Sequence, residues 1–256
     1  MRGRPLLPLP VFALLCACAV RIAPPRTAAE AGVSPEKAWA SVLSRFVDDK
    51  GRIDFAGLAK SPADLDVYLV YVAKVSPESS PQAFPTAATR LAYDINAYNA
   101  LAMYDVLRSG MPEDLNAVKV RFFYKNRFEM GGKYISLYDL ENKIIRPIGD
   151  PRVHMALNCM ARGCPRLPRQ PFAADMLDAE LQACAQYFFN EPRNVELLPE
   201  KQTVRFNQIL QFYTEDFLKK APSLIDFANA YREEKIPSGW KVDFIPYDWA
   251  LNKQFE

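Results

Sequence analysis

The stretch from residue 87 to residue 109 constrains the fold more than any other part of the sequence. Its apolar side chains recur at intervals of three or four residues, at Leu91, Ile95, Tyr98, Leu101, Ala102 and Val106. This spacing places them on one face of an α-helix, and Gly110 follows as a residue type that commonly ends helices. Because the apolar face runs the length of the helix, we expect the rest of the chain to pack a core against it.

The remaining segments predict a helix-rich mixture. The chain has 256 residues, half of them hydrophobic, which suffices for one domain with a sizeable core. Helical spacing also occurs at residues 34–46, 65–75, 136–145, 173–189, 209–218 and 224–231. Strands are predicted at residues 118–124, 127–130, 195–197 and 203–206, a short strand or extended piece at 53–55, and a final strand and turn over 242–249. The sequence thus predicts an α+β fold, a single helix-rich domain with a small antiparallel sheet, over residues 32–256.

The N-terminal 31 residues are predicted to be an export leader and tether. Arg2 and Arg4 precede an apolar stretch from residue 6 to residue 20, which is typical of a secretory signal. Residues 15–18 resemble a bacterial lipobox, which would make Cys18 a lipidated residue. Residues 17–19 and 29–31 also fit ordinary cleavage sites. The protein is therefore expected in the periplasm, as either a soluble protein or a lipoprotein anchored to the membrane by its N-terminus.

The charge distribution argues against a nucleic-acid partner. The 32 basic and 30 acidic residues nearly balance, and they form no basic stripe of the kind that nucleic-acid binders carry. After the leader there is no apolar run long enough to span a membrane. The expected partner is thus an unidentified envelope substrate or protein, with membrane contact only through a lipid anchor, and no cofactor is indicated.

Four separated motifs resemble one known family. They read Asn-Ala-Tyr-Asn-Ala-Leu at residues 96–101, Leu-Tyr-Asp-Leu-Glu at 137–141, Asp-Pro-Arg-Val-His-Met-Ala-Leu-Asn-Cys at 150–159 followed by Cys-Pro at 164–165, and Tyr-Asp-Trp-Ala-Leu-Asn at 247–252. In this order they resemble the family known as domain of unknown function 547, whose name implies no settled activity. Two positions depart from the family. Its members often carry His where this chain has Asn142, and Trp where it has Asp94.

The segment from His154 to Pro165 is where we expect any chemistry. His154 is the only histidine in the chain, so histidine-based catalysis must use it. In the first interpretation Cys159 or Cys164 is a nucleophile and His154 is its base. Residues five apart do not face each other in a regular helix or strand, so either the chain bends between His154 and Cys159, or the partner is Cys164, brought back by a turn at Arg162 and Gly163. The supporting candidates are orienting groups or oxyanion donors, namely Glu141, Asn96, Asn99 and Asn158.

This first interpretation predicts a hydrolase or acyl transferase that acts on an amide, a peptide or a thioester. The constellation resembles papain-like or transglutaminase-like thiol enzymes, although those families usually place the cysteine before the histidine. Arg152 is a candidate for binding a carboxylate or phosphate of the substrate, or it pairs with Asp150 or Glu141.

Two further interpretations compete. In the second, Cys159 and Cys164 form a disulfide that fixes a short loop in a non-catalytic binding or scaffold domain, as an oxidising compartment allows. In the third, His154, Cys159 and Cys164 bind zinc, although the spacing fits no usual zinc motif and no second histidine exists.

Overall fold

The computed structural model describes residues 19–25 and 33–255 of the protein. Most of the predicted leader, including the proposed lipidation site Cys18, lies outside the described residues. Within the ranges that are described, no helix has the length and apolar character needed to cross a bilayer.

Helices make up about half of the described chain. The α-helices are α1 (Pro35–Phe46), α2 (Phe55–Lys60), α3 (Ala63–Lys74), α4 (Ala87–Arg108), α5 (Leu137–Asp139), α6 (Leu177–Asn190), α7 (Ile209–Phe212), α8 (Thr214–Leu218) and α9 (Leu224–Asn229). Two π-helical segments, Arg121–Lys125 and Leu140–Ile145, and a 3-10 helix, Pro151–Met155, lie between them.

The strands form two small sheets. The first has the order β1 (Val20–Ile22), β2 (Asn126–Met130) and β3 (Lys133–Ile135), and the second has the order β4 (Val195–Leu198), β5 (Thr203–Asn207) and β6 (Lys241–Ile245). Each sheet has one antiparallel pair, β2–β3 or β4–β5, and one parallel pair, β1–β2 or β5–β6. The α+β class is confirmed, but the sheets are two and mixed rather than one and antiparallel.

Helix α4 is the centre of the fold, as its spacing predicted. Thr86 caps its first turn, and Ser109 follows its last residue. Its burial exceeds the expected stripe, because nearly every residue from Leu91 to Val106 is buried, including Asp94 and Asp105. Since α3, α5 and the 140–145 π-helix pack against it, its buried polar side chains must find partners inside the protein.

The strand predicted at residues 118–124 is wrong. Alternating apolar and charged residues suggested a strand, but Arg121–Lys125 is a π-helical turn with Phe122 buried and Tyr124 exposed. The hairpin instead joins β2 to β3 across Gly131 and Gly132, both of which have positive φ. Such turns suit the twist of a hairpin and favour glycine at both central positions.

Two other short predictions also changed. Asp54 caps helix α2, so residues 53–55 contribute only single bridges at Ile53 rather than a strand. Part of the predicted tether, Val20–Ile22, is strand β1 and pairs in parallel with β2. Backbone pairing across long sequence separations explains both changes, because neither segment carries a strong local pattern.

Candidate functional site

The site is built on the loop that follows the 3-10 helix Pro151–Met155. Asp150 caps this helix through the backbone amide of Arg152. The loop then turns back on itself between Asn158 and Pro165. Met160 has a φ of 72° at this turn, a conformation that non-glycine residues rarely adopt. This turn follows Cys159 and brings the Cys164 sulfur back beside the Cys159 sulfur.

Two asparagines hold this loop in place. Asn99, on α4, accepts a hydrogen bond from the Asn158 amide at 2.8 Å and donates one to the Ala156 carbonyl. The Asn158 side chain donates to the Pro165 carbonyl at 2.7 Å and accepts from the Met160 amide. Both side chains are buried with their amides engaged in the loop. We therefore regard both as residues that position the loop, whereas the sequence suggested Asn99 as an orienting group for His154 and Asn158 as an oxyanion donor.

The C-terminal segment closes the loop from the other side. Its backbone bonds to Arg162, Gly163 and Met160 through residues Ala250, Asp248 and Asn252. Gly163 is required at this approach, because a Cβ there would lie 2.9 Å from the Asp248 nitrogen and from the Tyr247 ring. The segment thereby brings the Tyr247 hydroxyl to the two cysteines.

Cys159 and Cys164 are free thiols with their sulfur atoms 2.9 Å apart. The Tyr247 hydroxyl lies 3.3 Å from the Cys159 sulfur and 3.0 Å from the Cys164 sulfur. The Cys159 amide donates to the Cys164 sulfur at 3.0 Å. The loop thus gathers several hydrogen-bond donors around Cys164, and the expected disulfide is not formed in this structure.

These contacts give the two thiols different acidities. A hydrogen bond with Cys164, together with burial, holds the pKa of the Cys159 thiol well above its usual range. Burial opposes ionisation of Cys164, but hydrogen bonds from Cys159, Tyr247 and two backbone amides outweigh it and lower the pKa of the Cys164 thiol. Of the two thiols, Cys164 is therefore the one that ionises more readily, and its thiolate can accept a hydrogen bond from the Cys159 thiol.

His154 has a different partner from the one expected. Its Nε2 lies 3.0 Å from the Asp216 carboxylate, and its ring stacks on Tyr213 at a centroid distance of 3.9 Å. Among the described residues, neither sulfur is a hydrogen-bond partner of His154. Hydrogen bonds from His154, Arg146 and Lys219 hold the pKa of Asp216 far below its usual range, against the effect of burial. The predicted cysteine–histidine pair is therefore not assembled by direct contact.

The other predicted site residues have structural partners. Glu141 is buried and accepts a hydrogen bond from the Tyr98 hydroxyl. The Asn96 side chain donates a hydrogen bond to the Phe172 carbonyl and accepts hydrogen bonds from the Phe172 backbone amide and from the Trp39 indole.

Arg152 is also engaged. It pairs with Asp150 and with Asp178, each at 2.7 Å, so its guanidinium already has two carboxylate partners. This pairing agrees with the second of the two roles expected for Arg152. Within the described part of the chain, no three His, Cys, Asp or Glu side chains are grouped to hold a metal ion.

A cleft of about 70 Å³ adjoins the thiols. Cys159, His154 and Glu141 all line it, so three predicted candidates do share one cavity. The remaining wall is mostly aromatic, from Phe123, Tyr98, Phe212, Tyr213, Tyr247 and Trp249. Sequence reasoning missed Asp216, Tyr213 and Tyr247 as site residues. Only Tyr247 carried a signal, because it begins the last family motif.

The family resemblance is confirmed. Residues 82–189 match the family model described as "Protein of unknown function, DUF547". The match contains three of the four motifs and both cysteines of the loop, but it stops before Tyr213, Asp216 and Tyr247. No curated protein and no solved structure matches the chain, so the papain-like or transglutaminase-like fold remains a prediction.

Proposed function

We propose that this domain carries out thiol–disulfide exchange outside the cytosol, using Cys159 and Cys164 as its redox pair. The carrying observation is the 2.9 Å separation of two free sulfurs that share the Tyr247 hydroxyl. Closing this gap to the roughly 2.05 Å of a disulfide needs a movement of less than about 1 Å. The substrate is a disulfide or dithiol of an envelope protein or small molecule.

The two cysteines divide the reaction between them. Cys159 lines the cleft and is the more exposed, at 8% against 2% for Cys164, so it meets the substrate. The Cys159 sulfur attacks a substrate disulfide as its proton passes to Cys164, and one substrate sulfur leaves as a thiolate. Cys164 then attacks the Cys159 sulfur, gives up that proton and releases the second substrate sulfur. Two electrons pass to the substrate, and the cysteine pair becomes a disulfide.

A second candidate is acyl transfer from an amide, peptide or thioester through Cys159. It is favoured by one observation, that Cys159, His154 and Glu141 line the same cleft. It requires a base within hydrogen-bond reach of the nucleophile. The groups that contact the Cys159 sulfur are Cys164 and Tyr247, whereas His154 is bonded to Asp216. For this reason the redox function ranks first.

The redox proposal is tested by equilibrating the purified protein in glutathione buffers of graded oxidation and then alkylating the free thiols. Trypsin separates the three mature-domain cysteines into the peptides 153–162, 163–166 and 170–193, so each thiol is read independently by mass spectrometry. We expect Cys159 and Cys164 to become protected together, and reversibly, within the glutathione range. Cys184 serves as an internal control, because it lies outside the pair.

Single-cysteine variants distinguish the candidates. In Cys164→Ser we expect glutathione to accumulate as a mixed disulfide on Cys159, because the resolving thiol is missing; Cys184→Ser is the matched control and should behave as the unaltered protein. A pair that stays oxidised at every glutathione ratio would instead identify a structural disulfide. Transfer of an acyl group from a thioester probe to Cys159, without redox protection of the pair, would favour the second candidate.

A further inference from the structure

A second cavity, of about 370 Å³, lies apart from the thiol cleft. It is bounded by the proline-rich loop over residues 168–172 and by one face of helix α6. Its wall is mainly apolar, from Pro168, Pro171, Phe172, Ala183 and Tyr187. It shares no lining residue with the cleft beside Cys159. Cavities of this size and character are typical sites for small molecules.

The walls of this cavity are held before any ligand arrives. Asn96 bonds both the amide and the carbonyl of Phe172, at 3.0 and 2.8 Å. Arg169 pairs with Asp49 at 2.8 Å and donates to the Ser44 carbonyl. Two prolines further restrict the backbone between these anchors. A ligand that binds here would therefore lose little free energy to ordering the loop.

Arg166 supplies a positive charge that has no acidic partner. Its guanidinium carbon lies over the Tyr187 ring at 4.7 Å, and its Nε is buried with no hydrogen-bond partner. Among the described residues, no carboxylate lies within ion-pair distance of Arg166. A buried donor without an acceptor is unfavourable, and a carboxylate matches the guanidinium geometry best.

We propose that this cavity binds a small apolar monocarboxylate, with the carboxylate on Arg166 and the apolar body against Pro171, Phe172 and Ala183. The Glu180 carboxylate also lines the cavity, where it accepts a hydrogen bond from the Ala173 amide. Its negative charge disfavours ligands that carry a second acidic group. This proposal does not rest on the redox function, because the cavity shares no residue with the thiol cleft.

Cys184 provides a built-in reporter of occupancy. Its half-buried thiol lines the cavity, and burial raises its pKa to about 12, so alkylation is slow enough to follow. The test measures the alkylation rate of Cys184, in peptide 170–193, as octanoate is added. At ten times its dissociation constant, octanoate should slow the reaction about tenfold. Octanamide, which has the same apolar body without the charge, should slow it much less.

Substitution of Arg166 separates a specific site from general protection. Octanoate should bind the Arg166→Gln variant at least about tenfold more weakly than it binds the unaltered protein. The control is Arg108→Gln, on the exposed end of α4, which should bind octanoate as tightly as the unaltered protein does. Matching thermal transitions would show that both variants fold. A blocked dipeptide with a free C-terminus, tested beside octanoate, would show whether the carboxylate belongs to a peptide or to a free acid. Equal protection by octanamide, or unchanged octanoate binding in Arg166→Gln, would overturn the proposal.

Discussion

At the scale of single residues, Tyr247 decides the state of the two thiols. Among the residues that the structure describes, Tyr247 is the one whose hydroxyl contacts both sulfurs. A hydroxyl that donates to a thiolate stabilises it, so Tyr247 favours ionisation of Cys164. Its role could not be read from the sequence, in which Tyr247 only begins a motif that lies 88 residues after Cys159.

We expect Tyr247→Phe to raise the pKa of the Cys164 thiol, because the ring stays but the hydroxyl donor is lost. The measurement is the pH dependence of Cys164 alkylation, read from peptide 163–166. The midpoint should move to higher pH, whereas Tyr138→Phe on the surface should leave it unchanged. An unaltered midpoint in Tyr247→Phe would show that the backbone amides alone stabilise the thiolate.

Asp94 is a second residue whose environment has a measurable consequence. It is buried in α4 with one carboxylate oxygen unpartnered, and burial raises its pKa to about 7. The folded state therefore binds this proton more tightly than the unfolded state, whose ordinary pKa is about 3.9. The resulting stability is present at low pH and is lost as the pH rises towards 7.

Asp94→Asn should remove the loss of stability at higher pH, because the neutral amide mimics the protonated carboxylic acid. We expect the variant to exceed the unaltered protein by at least about 1 kcal/mol in unfolding free energy at pH 8, with little difference near pH 4. Urea unfolding at both values checks this. Asp243→Asn, at an exposed strand position, is the control. A variant that is less stable at pH 8 would contradict the assignment.

At the scale of elements, the contact of His154 with Asp216 joins the 151–155 helix to α8. Asp216 also pairs with Arg146 at 2.7 Å and with Lys219 at 3.0 Å, so one carboxylate links three segments. Its pKa is depressed, which means that its stabilisation is present above its unfolded value near 4 and declines as the pH falls below it.

Asp216→Asn should therefore destabilise the protein at pH 7 by about 1–3 kcal/mol, since charge-assisted hydrogen bonds are lost. The difference from the unaltered protein should shrink as the pH falls below 4. A double-mutant cycle with His154→Gln, followed by urea unfolding, isolates the His154–Asp216 contribution. Additive effects would show that Asp216 acts mainly through Arg146 and Lys219.

At the scale of the whole molecule, the described residues form two apolar clusters. One surrounds α1, α3 and α4, and the other joins β4 and β5 to helices α6 to α9. Tyr247 and Cys184 each pack against both clusters. Both candidate sites therefore lie where the clusters meet. The segment 82–189, which matches the family model, supplies only some of the residues around each site.

A chain ending at Pro246 should consequently lose the protected thiols, because residues 247–252 supply the backbone bonds that close the cysteine loop. We expect Cys159 and Cys164 to alkylate far faster than in the full chain under native conditions. A chain ending at Gln254 keeps all of these backbone bonds and loses the exposed Phe255, so it should behave normally. Equal protection in both truncations would mean that α4 and Asn158 hold the loop without this segment.

The sequence by itself determined the features that depend on neighbouring residues. Helical spacing predicted α4, and the helices predicted at residues 34–46 and 136–145 do begin at the capping residues Ser34 and Ser136, because caps and spacing act within a few residues. The motifs likewise pointed to the segment from His154 to Pro165. The strand predicted at 118–124 was wrong because tertiary packing, which buries Phe122 in a helical turn, overrode the local alternation.

Only the tertiary structure decided which groups meet at the site. Asp216 follows His154 by 62 residues, and Tyr247 follows Cys159 by 88. Contacts of this kind depend on the packing of two apolar clusters and leave no local pattern in the chain. The sequence therefore located the cysteine loop, whereas packing paired His154 with Asp216 and brought Tyr247 to the thiols.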